Sequence, residues 1–553
     1  MSTIHVTGGL VQGVASPHDP SITLYKGVPY AAPPLGQNRW REPQPVVPWE
    51  GVKVCDVTGP VCPQVAPDPR YVNILKGWPQ SEDCLYLNVF LPPNTSAESN
   101  EKKPVLVWIH GGGFREGGAA DPNFDGTGLA QKGVIVVVPS FRLGMFGFFA
   151  HPDLTAESPN HTSGNYGIYD TLEALKWVHN NIAQFGGDPC RVTVSGQSGG
   201  SAKTHILLLS PLTKGLLHGA IIQSGARSPK EPALAVGAPS WRSLKQAEDE
   251  GVAVLKELGL PDIAALRAYQ DIPKIAEMSL KRDTTRWGPP PFFRAVLDGY
   301  VFPKKYSETF DQGPPNDVPV ITGQNRDEGG VYNEPRFTYD DFVASARGRL
   351  GPDQTHSKGS EELVEKFLEV YKPADKEEGK GPLDAWNQSA RDNTRLNLSL
   401  WAQEYHKHTK SPVYGYYFTH APPPWHGWTQ PEPLASPKTP GYTNGKGPLT
   451  GAYHSAEFAY TFNSLTTNNI RPWADEDRVL GDKVSTLWAN FVKTGNPNGK
   501  RPEDRPEGVP EWPSLIDKPD TLLELGGNFE YVQTASPEAR AFWESYINAQ
   551  PAM

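Results

Sequence analysis

The chain has little cysteine. Four occur in 553 residues, at Cys55, Cys62, Cys84 and Cys190, with no C-x-x-C pair and no zinc spacing. Positive charge is also short: 52 Lys and Arg face 62 Asp and Glu, a formal net charge of −10. That balance argues against nucleic acid as a partner, because phosphate binding needs a basic face. Long hydrophobic runs are missing as well. Val134-Ile-Val-Val-Val138 is far too short to span a bilayer, so no membrane partner is expected. The start, Met1 to Gly9, lacks both a basic region and an apolar core, so no signal peptide is visible. A mature secreted chain given a new initiator methionine would look the same, and localisation stays open. No internal repeat and no linker divides the chain.

What is present suits a large ordered chain. A hydrophobic share of 37% with 21% charged residues sustains a sizeable core. The 56 prolines and 54 glycines imply long ordered loops. The first hundred residues read as β-rich, with short runs at Leu10–Val14, Ile22–Tyr25 and Leu85–Phe90. Val105–His110 and Gly133–Ser140 are near-continuous apolar runs, as expected for strands buried on both faces. Tyr169–Phe185 has helical spacing, a strand runs to Ser195, and Ala220–Ser224, Val318–Gly323 and Val413–Phe418 read as further strands. Helical insertions are expected at Trp241–Leu258, Ile263–Leu280 and Phe342–Lys410. Strand alternating with helix is the rhythm of a parallel sheet with crossover helices, so residues 1–553 are read as one large α/β domain.

One stretch carries chemistry. Gly196-Gln197-Ser198-Gly199-Gly200 fits G-x-S-x-G, between a β-branched strand and the apolar helix around His205–Ser210. Such a turn lifts the serine hydroxyl out of the sheet, and the helix aims its free N–H groups at the same point. A serine hydroxyl needs a base and an orienting carboxylate, and in this kind of sheet they follow in the order serine, acid, histidine. Beyond the strand at Val318–Gly323 the candidate bases are His356, His406, His408, His420, His426 and His454. Local context favours His454, in a glycine-led loop entering an apolar stretch, and leaves the choice open.

Glu82-Asp-Cys-Leu-Tyr-Leu-Asn88, Gly111-Gly-Gly-Phe114, Gly164-Asn-Tyr-Gly167, Phe185-Gly-Gly-Asp-Pro189, the elbow, Leu297-Asp-Gly299, Gly323-Gln-Asn-Arg-Asp-Glu-Gly329 and the His454 segment together resemble the type-B carboxylesterases. These are the cholinesterase-like branch of the α/β-hydrolase fold. The resemblance runs from Lys26 to Pro497 in the family's order. It implies Ser198 as nucleophile, Glu328 as acid and His454 as base, with no metal and no organic cofactor. It implies an oxyanion hole of the Gly112, Gly113 and Gly199 N–H groups, and a Cys62–Cys84 disulfide that leaves Cys55 and Cys190 as thiols. The implied activity is hydrolysis of a small-molecule carboxylic ester through an acyl-enzyme. The alternatives are acyl transfer from the same acyl-enzyme and a non-catalytic binding protein.

Three departures bear on selectivity. Gln197 stands where many relatives carry glutamate, which removes a negative charge beside the histidine and weakens any preference for choline esters. Gly199 replaces the usual alanine. Prolines interrupt Trp287-Gly-Pro-Pro-Pro-Phe-Phe293, the segment that shapes the acyl pocket, so Phe293 is a candidate contact without a transferable preference. Trp425, Trp428 and Tyr442 offer an aromatic rim suited to aryl esters, while Arg286 and Arg294 lie near the segment that would meet an acyl carboxylate. Ser224 resembles a serine that supports the triad. Asp327 reads as an ion-pair or loop-capping residue, and His110 as a loop anchor.

Overall fold

The computed structural model describes residues 3–65, 77–285, 288–328, 337–352, 357–375, 381–424, 426 and 451–553. An eleven-stranded sheet forms its centre. From one edge the order is Tyr531–Gln533, Thr521–Leu525, Val413–Phe418, Val320–Asn325, Gly219–Gln223 and Gly187–Gln197. It continues through Lys103–Ile109, Ile135–Pro139, Tyr86–Leu91, Thr23–Pro29 and Val14–Ala15. The run from Thr521–Leu525 to Ile135–Pro139 is parallel, and antiparallel pairs close both edges.

Residue alternation along the parallel strands explains the layering. Val105, Val107 and Ile109 point to one face, Leu106 and Trp108 to the other; Ala220 and Ile222 oppose Ile221 in the same way. Both faces are covered, which is why these strands are apolar throughout. Helices Tyr166–Asn181 and Gly199–Leu209 pack on the first face and Asp475–Thr494 on the second. Helices Tyr339–Leu350, Glu361–Val370, Gly381–His406 and Pro537–Asn548 share a third cluster around Phe367, Phe542 and Trp543.

Several expected boundaries move, for local reasons. The strand entering the elbow begins at Gly187 rather than after Pro189, with a register shift against Lys103–Val105. Ile263–Leu280 divides into Ile263–Ala268 and Ile272–Met278, because Asp271 caps the second helix and Pro273 occupies its first turn. Helix Leu244–Glu257 starts after Arg242–Ser243, which pairs with Val296–Leu297 as a short separate sheet.

The implied disulfide is not formed. Cys62 and Cys84 are buried thiols. The hydrogen bond with Cys62, together with burial, holds the Cys84 thiol well above its usual range, and the Leu143 N–H donates to Cys62 Sγ at 3.2 Å. Packing and these hydrogen bonds hold the two segments together without a covalent bond.

Candidate active site

Ser198 stands where strand Gly187–Gln197 turns into helix Gly199–Leu209, at φ 55° and ψ −120°. The turn is closed by contacts that admit no side chain. A Cβ on Gly196 would lie 2.5 Å from the Gly200 carbonyl carbon, and one on Gly200 would lie 1.9 Å from Ile109 O. The Ser198 N–H donates to Gln223 O at 3.0 Å, fixing the elbow to the neighbouring strand. Among the described residues nine non-glycine positions have positive φ, and four of them, Phe114, Ser198, Ser224 and Ser455, lie in or next to this site. Such conformations cost about 1–3 kcal/mol each and persist where surrounding structure enforces them.

Ser198, Ser224 and Glu328 follow the C-terminal ends of three adjacent parallel strands. Glu328 Oε1 accepts from Ser224 Oγ and from the Asn325 N–H, each at 2.8 Å. Its Oε2 meets His454 Nδ1 at 2.5 Å. Burial pushes the Glu328 carboxyl upward, but the His454 charge, that short contact and the two donors together hold it below the usual carboxylate range. Burial likewise pulls His454 down, and the Glu328 carboxylate more than compensates, so the imidazole is more basic than usual. Asp327 holds the two loops in register, as an ion-pairing residue should. It accepts from Arg391 Nη2 at 2.7 Å and from the Ala452 N–H at 2.9 Å, while its own N–H donates to Ala452 O at 2.9 Å.

Of the other candidate bases, His406 bonds to Ser411 O and His420 to Asp477. His408 and His426 have no link to the elbow among the described residues, and His356 lies outside them.

No hydrogen bond joins Ser198 Oγ to His454 among the described residues. Gln197 Nε2 instead lies 3.1 Å from His454 Nε2 and 3.4 Å from Nδ1. An atom so nearly equidistant from both nitrogens would overlap Cε1 if it lay in the ring plane. The amide therefore covers the imidazole face. Catalytic hydrogen bonds often tighten only when substrate binds.

The loop Gly111–Phe114 flanks the elbow. Gly112 and Gly113 have φ of 99° and 58°, and neither N–H donates to an acceptor among the described residues. The Gly199 N–H, in the first turn of its helix, has no intrahelical partner. A Cβ on Gly199 would lie 3.0 Å from Gly113 N and 3.1 Å from Phe114 N, so these donors border one small volume. His110 anchors the loop: it is buried, stacks on Phe141 at 4.1 Å and bonds through Nδ1 to Gly111 O.

Other expected contacts fare differently. Phe293 is a core residue, edge-on to Phe292 at 5.1 Å. Arg294 is fully buried and paired with Asp283 at 2.7 Å, which leaves it unavailable to a substrate carboxylate. Trp425, Trp428, Tyr442 and Arg286 lie outside the described residues. Sequence reasoning missed Glu457, which accepts from Gln223 Nε2 at 3.1 Å and Asn325 Nδ2 at 2.6 Å. Burial raises its carboxyl above the usual range, and the nearby Glu328 charge adds to that. Its place three residues after His454 was the available signal. Among the described residues no group of His, Cys, Asp and Glu has metal-binding geometry, and no helix is long and apolar enough to cross a membrane.

A sequence model of the carboxylesterase family matches residues 1–543. The chain is 40% identical over 332 residues to a fumonisin B1 esterase of Sphingopyxis macrogoltabida, covering 60% of this chain and 57% of that protein. It is 31% identical over 578 residues to carboxylesterase 1F of Mus musculus, covering 98% and 92%. Among solved structures, a thermophilic PNB esterase superposes with a TM-score of 0.72 at 28% identity, covering 98% of this chain and 99% of that one. With an elbow serine, a Glu–His pair and a glycine loop assembled on the α/β-hydrolase fold, the chain belongs to the carboxylesterase family and is a serine hydrolase of carboxylic esters.

Proposed function

We propose that Ser198, His454 and Glu328 form the catalytic triad and that residues 1–553 act as one catalytic unit. The observation that carries this is the 2.5 Å contact of Glu328 with His454 beside a serine held at the strained elbow. Ser198 Oγ attacks the ester carbonyl carbon while His454 takes its proton through Nε2. The carbonyl oxygen becomes an anion facing the Gly112, Gly113 and Gly199 N–H groups, a preorganised donor set. As the carbonyl re-forms, the alkoxide leaves with the proton from His454, and water repeats the sequence on the acyl-enzyme to release the acid. Glu328 keeps the proton on Nδ1 and stabilises the imidazolium. Ser198→Ala should abolish turnover with the circular dichroism spectrum unchanged; retained turnover would overturn the assignment.

Neutral and aryl esters of small to medium size are the proposed substrates, supported by the uncharged Gln197 over His454 and by the likeness to PNB esterases. A second reading is an acyl group that carries a carboxylate. Arg227, three residues beyond Ser224, is half-buried, acts electrostatically on His454 and has no ion-pair or hydrogen-bond partner among the described residues. The similarity to a fumonisin B1 esterase makes that ester a useful member of the test panel. Kinetics on esters varying acyl length and acyl charge independently separate the two readings. A preference for anionic acyl groups that Arg227→Gln removes selects the second.

A further inference from the structure

Lys203 lies on the helix that Ser198 opens, and it is fully buried. No carboxylate pairs with it among the described residues. Its ammonium sits 4.1 Å from the centroid of Phe114, 4.7 Å from Phe141 and 5.8 Å from Phe148, and it donates to Gly199 O at 3.3 Å. Cation–π attraction favours the charged amine in such a cage, most strongly when water is excluded. Two of these partners belong to the reaction centre. Phe114 ends the glycine loop, and Gly199 begins the helix and contributes an N–H to the same small volume.

We propose that Lys203 is a positioning residue of the oxyanion hole, tying the glycine loop to the helix start and placing a positive charge behind the acyl oxygen. A charge held there in a dry interior interacts more strongly with the tetrahedral oxyanion than with the neutral ester, so it acts on kcat rather than KM. This inference rests on the assignment of Gly112, Gly113 and Gly199 to the hole.

The charge state follows from the surroundings. Burial lowers the Lys203 amine to about 7. Its titratable neighbour in the loop is His110, which burial and the Lys203 charge keep neutral. Arg142, beside Phe141, is neutralised by Asp170 at 2.7 Å. His205, on the same helix, stacks instead on Tyr306 and accepts through Nε2 from the Trp401 indole N–H, and burial keeps it neutral. The cation is thus present at acid pH and lost as pH rises through neutrality. The His454 requirement runs oppositely, since its ring must lose a proton to act as base.

The test is the pH dependence of kcat in the wild type, Lys203→Met and Phe114→Leu, with melting temperature as the check on folding. Lys203→Met should lower kcat about tenfold or more near pH 6, leave KM nearly unchanged, and approach the wild-type rate above about pH 9, where the wild type has lost the charge. Phe114→Leu removes the nearest ring, so the alkaline fall should move to lower pH. A Lys203→Met deficit that is constant across pH overturns the proposal in favour of packing alone, as does an unchanged kcat. If Lys203→Met does not fold, an unmoved alkaline limb in Phe114→Leu refutes it independently. Gly112→Ala, whose Cβ would lie 2.0 Å from Glu116 O, tests the hole assignment separately: it should lower kcat at every pH, and an unchanged kcat removes the glycine loop from the hole whatever Lys203 does.

Discussion

Replacing Glu328 with glutamine tests the geometry of the proposed triad more sharply than deleting it. Glu328 Oε1 already accepts from a backbone N–H, that of Asn325, and from Ser224 Oγ, each at 2.8 Å. A glutamine amide at this position must place its oxygen there, because an NH2 group facing the Asn325 N–H would leave two donors in contact. The NH2 then faces His454 Nδ1 and donates to it. Nδ1 must become the unprotonated nitrogen, so the proton moves to Nε2, the atom that has to receive the Ser198 proton. Glu457 cannot take over, because its oxygens are held by Gln223 and Asn325. The corresponding change in another Ser-His-acid enzyme lowers kcat about 10⁴-fold, or about 5 kcal/mol of barrier. A loss of that order is expected here, with Tm little changed. The Glu328 charge raises the His454 pKa, so the residual acid limb should move to lower pH. Initial rates on a chromogenic ester between pH 5 and 9 (about the stable range of most proteins) measure both. Retention of more than about a tenth of wild-type kcat would refute the tautomer reasoning.

Three further outcomes follow from the same geometry. In Gly199→Ala the new methyl would stand 3.0 Å from Gly113 N, in a loop tethered by the Gly144 N–H to Phe114 O at 2.7 Å. Because one hole donor is worth about 2.7–4 kcal/mol, partial displacement should cost about tenfold in kcat; an unchanged kcat shows that the loop yields. Gln197→Glu sets a carboxylate beside His454, so its acid limb should rise in pH and turnover of choline esters should gain on neutral esters. An unmoved ratio removes Gln197 as a selectivity determinant. Ellman's reagent should detect the exposed Cys190 in the native protein and all four thiols after denaturation without reductant. Two thiols after denaturation would show that Cys62 and Cys84 oxidise.

Legibility in the sequence followed the range of the interactions. The elbow, the glycine loop and the parallel apolar strands depend on backbone conformation and two-face burial, which glycine placement and residue alternation record locally. That is why Gly196–Gly200, Gly111–Phe114 and strand Val413–Phe418 were legible along the chain. The resemblance brought Glu328 and His454 into the site from 130 and 256 positions away, as their numbers in the chain show. It erred on Cys62 and Cys84, whose segments hold together as thiols without a bond.

Only the tertiary structure decided how charge is arranged around the serine. It buried Arg294 on Asp283 and left Arg227 without a partner among the described residues. It laid the Gln197 amide over the imidazole face and held Glu457 between Gln223 and Asn325. The sequence places Lys203 on an apolar helix, where a lone charge has no reading; burial among Phe114, Phe141 and Phe148 comes from two stretches distant from it in the chain. Desolvation and through-space charge depend on which distant atoms exclude water from a group, and that is settled by packing rather than by neighbours in the chain.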